Sequence, residues 1–99
     1  MIHICICDDS DAMRDELCGL IQGLCQKHSI AASVSCCSSG EELLFDPDDK
    51  NRTTDIFFLD ILMKKLNGIE TAAKLRAINP TAQIIFLTVS KEHVFEALD

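Results

Sequence analysis

Polar and apolar positions repeat in two different periods along the chain, and each switch of period marks an element. Residues 2–7, IHICIC, form a short apolar-rich run that stops at Asp8-Asp9 and reads as a strand. From Asp11 the period lengthens: Met13, Leu17, Leu20, Ile21 and Leu24 recur at helical spacing with charge between them. This predicts a helix from about 11 to 27 with Ser10 or Asp11 as N-cap. AASVSCC (31–37) predicts a weaker strand of small residues. SSGEELL predicts a short helix with Ser39 as N-cap and Glu42 three residues later, in the capping-box pattern. DPDDKNRT (46–53) is polar, contains a proline and predicts a loop. DIFFLD predicts a third strand, apolar on both faces. LMKKLNG turns, Asn67 caps with Glu70 at N3, and IETAAKLRAI is helical to about Ile78, where Asn79-Pro80 ends it. AQIIFLTV predicts a fourth strand, again apolar on both faces, and SKEHVFEALD a further helix opening at Ser90.

Strand and helix therefore alternate four times. Strands apolar on both faces need helices above and below them, which predicts a parallel sheet in an α/β fold. Right-handed crossovers make that sheet doubly wound, with an expected strand order of 2-1-3-4. Such sheets bind ligands beyond the carboxyl ends of their strands, where the winding reverses. Asp8 and Asp9 end the first strand, Asp60 the third and Thr88 the fourth. Neighbouring strands lie about 4.8 Å apart, so the three carboxylates are expected to crowd together beside a hydroxyl. Each aspartate alone reads more readily as a cap or loop residue. Capping does not explain why all of them fall on one edge.

Like charges at that separation raise one another's pKa unless a cation neutralises them. Oxygen donors without histidine or cysteine point to a hard divalent ion, Mg²⁺ with several retained waters. Mg²⁺ on carboxylates commonly works with phosphate oxygens, and an aspartate beside it is placed to attack phosphorus and form an acyl phosphate.

Composition narrows the picture further. With 99 residues the chain is expected to form a single domain, and 47% hydrophobic with 25% charged residues is the balance of a folded one. A net charge of −7 argues against direct contact with nucleic acid, since the chain repels phosphates unless a metal or local lysines intervene. The sequence has no apolar run long enough for a membrane helix, and MIHICICDDS lacks the pattern of a signal peptide, so a cytoplasmic location is expected. Six cysteines include no C-x-x-C pair, which argues against a zinc or disulfide framework. Buried, reduced thiols are expected, with Cys36-Cys37 the place where a regulatory thiol would lie. His3, His28 and His93 fall away from the carboxylate edge and read as surface or helix-end residues.

ICICDDS with Arg14 in the following helix, FFLDILMKKLNGIE and IIFLTVS resemble the three successive motifs of a two-component response regulator receiver domain. The resemblance runs from residue 2 to about 98, and its phrasing is nearest to receivers joined to a LytTR-type DNA-binding domain. It implies the flavodoxin-like receiver fold and a signalling switch, not an enzyme, although the domain takes part in its own phosphorylation and dephosphorylation. Asp60 matches the phosphoacceptor that takes a phosphoryl group from a sensor histidine kinase. Asp9 matches the acidic Mg²⁺ ligand, Asp8 its acidic neighbour, and Leu62 the residue whose backbone carbonyl joins them. Thr88 matches the hydroxyl residue that moves to bond the phosphoryl group.

The chain departs from the family at Lys64, where proline is common, and at Val89, where alanine or glycine is usual. The proline's absence implies a looser turn after Asp60, and the bulk of Val89 hindered access to the phosphoryl group. The fifth strand, with its lysine and aromatic switch position, and the fifth helix have no counterpart in the 99 residues. Residues 1–99 are therefore expected to be a receiver incomplete at its C-terminus, with an output domain, transcriptional by the resemblance, beyond residue 99. Strand 4 would then have an open apolar edge, and a stably folded chain is expected to cover it by forming a homo-oligomer. Three other readings compete. One is an interaction module that keeps the fold without phosphorylation. A phosphatase with an aspartyl-phosphate intermediate is disfavoured by Leu62, where such enzymes usually place a second aspartate. The third is a redox sensor built on Cys36-Cys37.

Overall fold

The expected alternation folds into a four-stranded, all-parallel sheet in the order β2-β1-β3-β4. The computed structural model describes residues 1–87; Thr88, Val89, His93 and the predicted last helix lie outside them. The strands are β1 Ile2–Cys7, β2 Ala32–Cys37, β3 Ile56–Asp60 and β4 Gln83–Leu87. The helices are α1 Asp11–Lys27, α2 Gly40–Leu44 and α3 Gly68–Ile78. This is the doubly wound α/β arrangement that the periodicity predicts.

The near-continuous apolar run of β1 reflects burial on both faces. Ile4 and Ile6 pack with Ile21 of α1 on one side. Cys5 and Cys7 pack with Phe57, Leu59, Leu43 of α2 and Leu75 of α3 on the other. β3 runs beside β1 with Cys7 opposite Leu59, so the residues that follow both strands emerge together at one edge. Among the described residues β4 ends the sheet, and Ile85 and Phe86 are 43% and 41% exposed.

The helix caps follow the sequence with one change. Ser10 caps α1, its hydroxyl accepting from the Met13 amide. Asn67 and Glu70 form the full reciprocal box at α3. At α2 the Ser39 hydroxyl accepts from the Glu42 amide, but the Glu42 carboxylate turns to Ser38 instead of closing the box. Ser38 offers both an amide and a hydroxyl donor, two hydrogen bonds where the box would supply one.

The polar stretch 46–53, expected to be plain loop, contains a 3₁₀ turn at Lys50–Thr53. Buried asparagines hold it in place. The Asn51 side chain donates to the Leu43 carbonyl at 2.8 Å, and Asn79 Nδ2 donates to the carbonyls of Asn51 and Thr54, each at 2.8 Å. Asn79, which the sequence marked only as a helix end, thus ties the end of α3 to the segment that leads into β3.

Candidate functional site

Asp8 follows β1 and Asp60 is the last residue of β3, so the β1–β3 pairing sets them side by side at the carboxyl edge of the sheet. Asp8, Asp9 and Asp60 each place a carboxylate oxygen within 4.8 Å of the others. Asp8 and Asp60 are almost fully buried, 1% and 3% exposed, while Asp9 faces solvent. The crowding expected from strand order is present. Thr88 lies outside the described residues; Leu87, before it in sequence, pairs with Asp60.

Local hydrogen bonds aim the two buried carboxylates. Asp8 Oδ1 accepts from the Ser10 amide at 2.9 Å, and the Asp8 carbonyl accepts from Arg14 Nη1 at 3.0 Å. The same guanidinium pairs with Asp11 at 2.6 Å, so Arg14 braces the turn from β1 into α1. Asp60 Oδ1 accepts from the Leu62 amide at 3.1 Å, closing a tight turn directly after the strand. Leu62 therefore meets Asp60 through its backbone N–H.

Without proline at position 64 the turn is still well held. Gly68 N donates to the Ile61 carbonyl at 3.1 Å, and Leu66 N donates to Glu41 Oε1 at 2.9 Å. Lys65 takes a left-handed backbone conformation with φ 56°, which lets the segment double back to the start of α3. Lys64 and Lys65 line a cleft of about 270 Å³ together with Asp9, Ser38, Ser39, Glu41 and Met63.

Gly68 was missed at the level of sequence. A Cβ there would lie 2.4 Å from the Asp60 carbonyl oxygen and 2.9 Å from its carbon. The first turn of α3 rests directly on the backbone that carries Asp60. A glycine at the first helical position, between the two residues of a capping box, where almost any residue continues a helix, is the signal that could have found it.

The Asp60 carboxyl is held above its ordinary carboxylate value. Burial is the largest cause; the Leu62 amide pulls the other way, and the charges of Asp8 and Asp9 add to the rise. Mutual repulsion was the expected cause, but the fold makes desolvation the greater one. A cation would offset both. The donors are all oxygen and close-set, two buried and one open to solvent, a set that fits a hard divalent ion keeping some of its waters.

The cysteines take no part in this edge. All six are free; where buried thiols were expected, only Cys5 and Cys7 are buried, Cys18, Cys25 and Cys37 are half-buried and Cys36 is exposed. Burial pushes the Cys36 thiol up to about 11, and contact with Cys5 together with burial pushes Cys37 up as well. Both are held as thiols instead of reactive thiolates, which disfavours the redox reading. His3 and His28 lie on β1 and at the end of α1, away from the carboxylates, and His93 is outside the described residues.

Residues 4–99 match the family described as the response regulator receiver domain. A response regulatory protein of Yersinia pestis is 30% identical over 100% of this chain and 39% of its own length. The sensory transduction protein LytT of Enterococcus faecalis is 27% identical over 97% of this chain and 37% of its own. The chain thus spans well under half the length of these relatives. Among solved structures, a chain from the complex of histidine kinase ThkA with response regulator protein TrrA aligns with a TM-score of 0.72 and 29% identity. That alignment covers 90% of this chain and 70% of the other.

Proposed function

The chain belongs to the response regulator receiver domain family, and from that premise we propose that it is the phosphoacceptor switch of a two-component system, with Asp60 as acceptor and a sensor histidine kinase as donor. One observation carries the reading: three carboxylates from two adjacent strand ends converge within 4.8 Å at the edge where a doubly wound sheet binds its ligands. The resemblance to a chain from a kinase–regulator complex supports the choice of donor.

Asp8, Asp9, Asp60 and the Leu62 backbone carbonyl would hold Mg²⁺, which when bound neutralises the crowded carboxylates and the incoming phosphoryl oxygens. The Leu62 amide fixes one oxygen of Asp60 and orients the other as the nucleophile. That oxygen attacks phosphorus, the bond from phosphorus to the donor imidazole breaks, and an acyl phosphate remains on Asp60. The Thr88 hydroxyl then bonds the phosphoryl group, and its movement alters the surface around β4. Lys64 and Lys65, beside the cleft, attract the anionic donor.

Residues 1–99 act as the receiver part of a longer regulator, whose output domain, transcriptional and of LytTR type, lies beyond residue 99. The acidic receiver itself does not touch nucleic acid, and the protein works in the cytoplasm. No described helix is long and apolar enough to cross a membrane. The exposed apolar residues of β4 favour a homo-oligomer that covers this edge. Sedimentation of a well-folded monomer at micromolar concentration would count against that assembly.

The test of the switch is intact-mass measurement after incubation with a small acyl phosphate and Mg²⁺. One added phosphoryl group, lost in Asp60→Asn, is expected. A folded chain that gains none, or an adduct that persists in Asp60→Asn, would overturn the assignment and leave an unphosphorylated interaction module. Sustained phosphate release at high turnover would favour a phosphatase.

A further inference from the structure

The face of the sheet beneath α2 carries two side chains that the carboxylate edge does not use. Cys5 on β1 and Cys37 on β2 lie diagonally across the paired strands, with their Sγ atoms 3.9 Å apart. Cys5 is 4% exposed, and among the described residues the Cys37 thiol is its only side-chain hydrogen-bond partner. Both thiols line a cavity of about 250 Å³ at the edge of β2, walled by Glu42, Phe45 and Asp46. A nearly buried polar group thus faces a space large enough for an ion and its waters.

The separation suits one particular kind of ligand. With metal–sulfur bonds of about 2.3 Å, sulfurs 3.9 Å apart subtend an angle of about 116° at the metal, between the tetrahedral and trigonal values. Cys7 is not a third ligand, since its thiol donates to the Ser39 carbonyl and contacts Met63 Sδ. The remaining positions fall to water, a small ligand or the carboxylates of Glu42 and Asp46 that wall the cavity. Sulfur donors prefer soft or borderline ions, whereas the aspartate cluster prefers hard ones, so the two sites favour different metals.

We propose that Cys5 and Cys37 form a site for a thiophilic divalent ion of the Zn²⁺ and Cd²⁺ class, separate from the carboxylate cluster. Binding exchanges two S–H bonds for two metal–sulfur bonds and releases two protons, with no change of oxidation state. The ion would join the edge strand β2 to β1 beneath α2.

Cd²⁺ is the probe, added to the reduced chain in a thiol-free reductant with saturating Mg²⁺ on the carboxylates. The ultraviolet thiolate-to-cadmium charge-transfer band should saturate at one equivalent, since carboxylate-bound Cd²⁺ produces no such band. Cys37→Ser should weaken binding by about tenfold or more and diminish the band. Cys18→Ser and Cys36→Ser should leave it unchanged. Because changing Cys5 disturbs the core, its role is read in the unaltered chain, where Cd²⁺ should protect Cys5 and Cys37 from alkylation, as located by peptide mass spectrometry. No band in the folded chain, or a band and protection that follow Cys18 or Cys36, would overturn the proposal.

Discussion

Replacing Gly68 with alanine sets two physical effects against each other. Gly68 is the first residue of α3, and no glycine in the described chain has a positive φ, so alanine would meet no backbone strain there. Helix propensity alone predicts a gain of up to about 1 kcal/mol, less in a first turn than in a helix interior. Packing predicts the reverse. The added Cβ would approach the Asp60 carbonyl oxygen to 2.4 Å, and the Asp60 carbon and Ile61 Cα to 2.9 Å each. All three are backbone atoms that no rotamer change can move aside, whereas ordinary carbon contacts sit at about 3.5–4.0 Å. Overpacking of this kind costs about 1–3 kcal/mol, and rigid backbone on the far side places this case at the upper end.

The expected net effect is a loss of about 2 kcal/mol, which in urea lowers the unfolding midpoint by about 1–2 M for a small domain. Gly19→Ala and Gly23→Ala are the internal controls, because a Cβ at either position meets nothing within 4 Å. Each should gain about 0.5–1 kcal/mol from propensity and reduced unfolded-state entropy. Equilibrium urea unfolding followed by circular dichroism measures all three variants. If Gly68→Ala is as stable as the parent while Gly19→Ala gains, α3 does not rest on the Asp60 backbone as described.

Two further tests address the site and its support. The raised carboxyl of Asp60 means that folding favours its protonated form, so its contribution is most favourable below the ordinary carboxylate pKa and is lost as pH rises through the folded value. Asp60→Asn should therefore raise the thermal midpoint of the metal-free chain at pH 7 and have little effect near pH 3; equal effects at both would refute the linkage. Mg²⁺ should likewise stabilise the parent at pH 7, by about 1.4 kcal/mol at tenfold excess over its dissociation constant, and do so far less in Asp60→Asn. Asn79→Ala removes two donated bonds and the acceptor for the Ala82 amide, all around a buried side chain. A loss of about 3 kcal/mol is expected in urea unfolding; a loss under about 0.5 kcal/mol would show that the 46–54 segment holds itself in place.

Much of this protein is written locally, and its sequence is legible to that extent. The alternation of apolar runs with helical spacing determined the element order, because burial on one face or two leaves a period that a single strand or helix displays. Ser10, Ser39 and Asn67 announced their helices because a cap bonds within four residues of itself. Asp8, Asp9 and Asp60 were legible as a group because the strand-end rule of doubly wound sheets converts position along the chain into position in space. What the tertiary structure alone decided involves partners far apart in sequence. Asn79 reaches back to Asn51 and Thr54, Glu41 holds the turn at Leu66, and Cys5 meets Cys37 across two strands. Gly68 reads as an ordinary helix residue until the Asp60 backbone is seen against it. The balance of forces on Asp60 belongs here too: charges can be counted in a sequence, but the desolvation that outweighs them depends on how completely the folded chain excludes water.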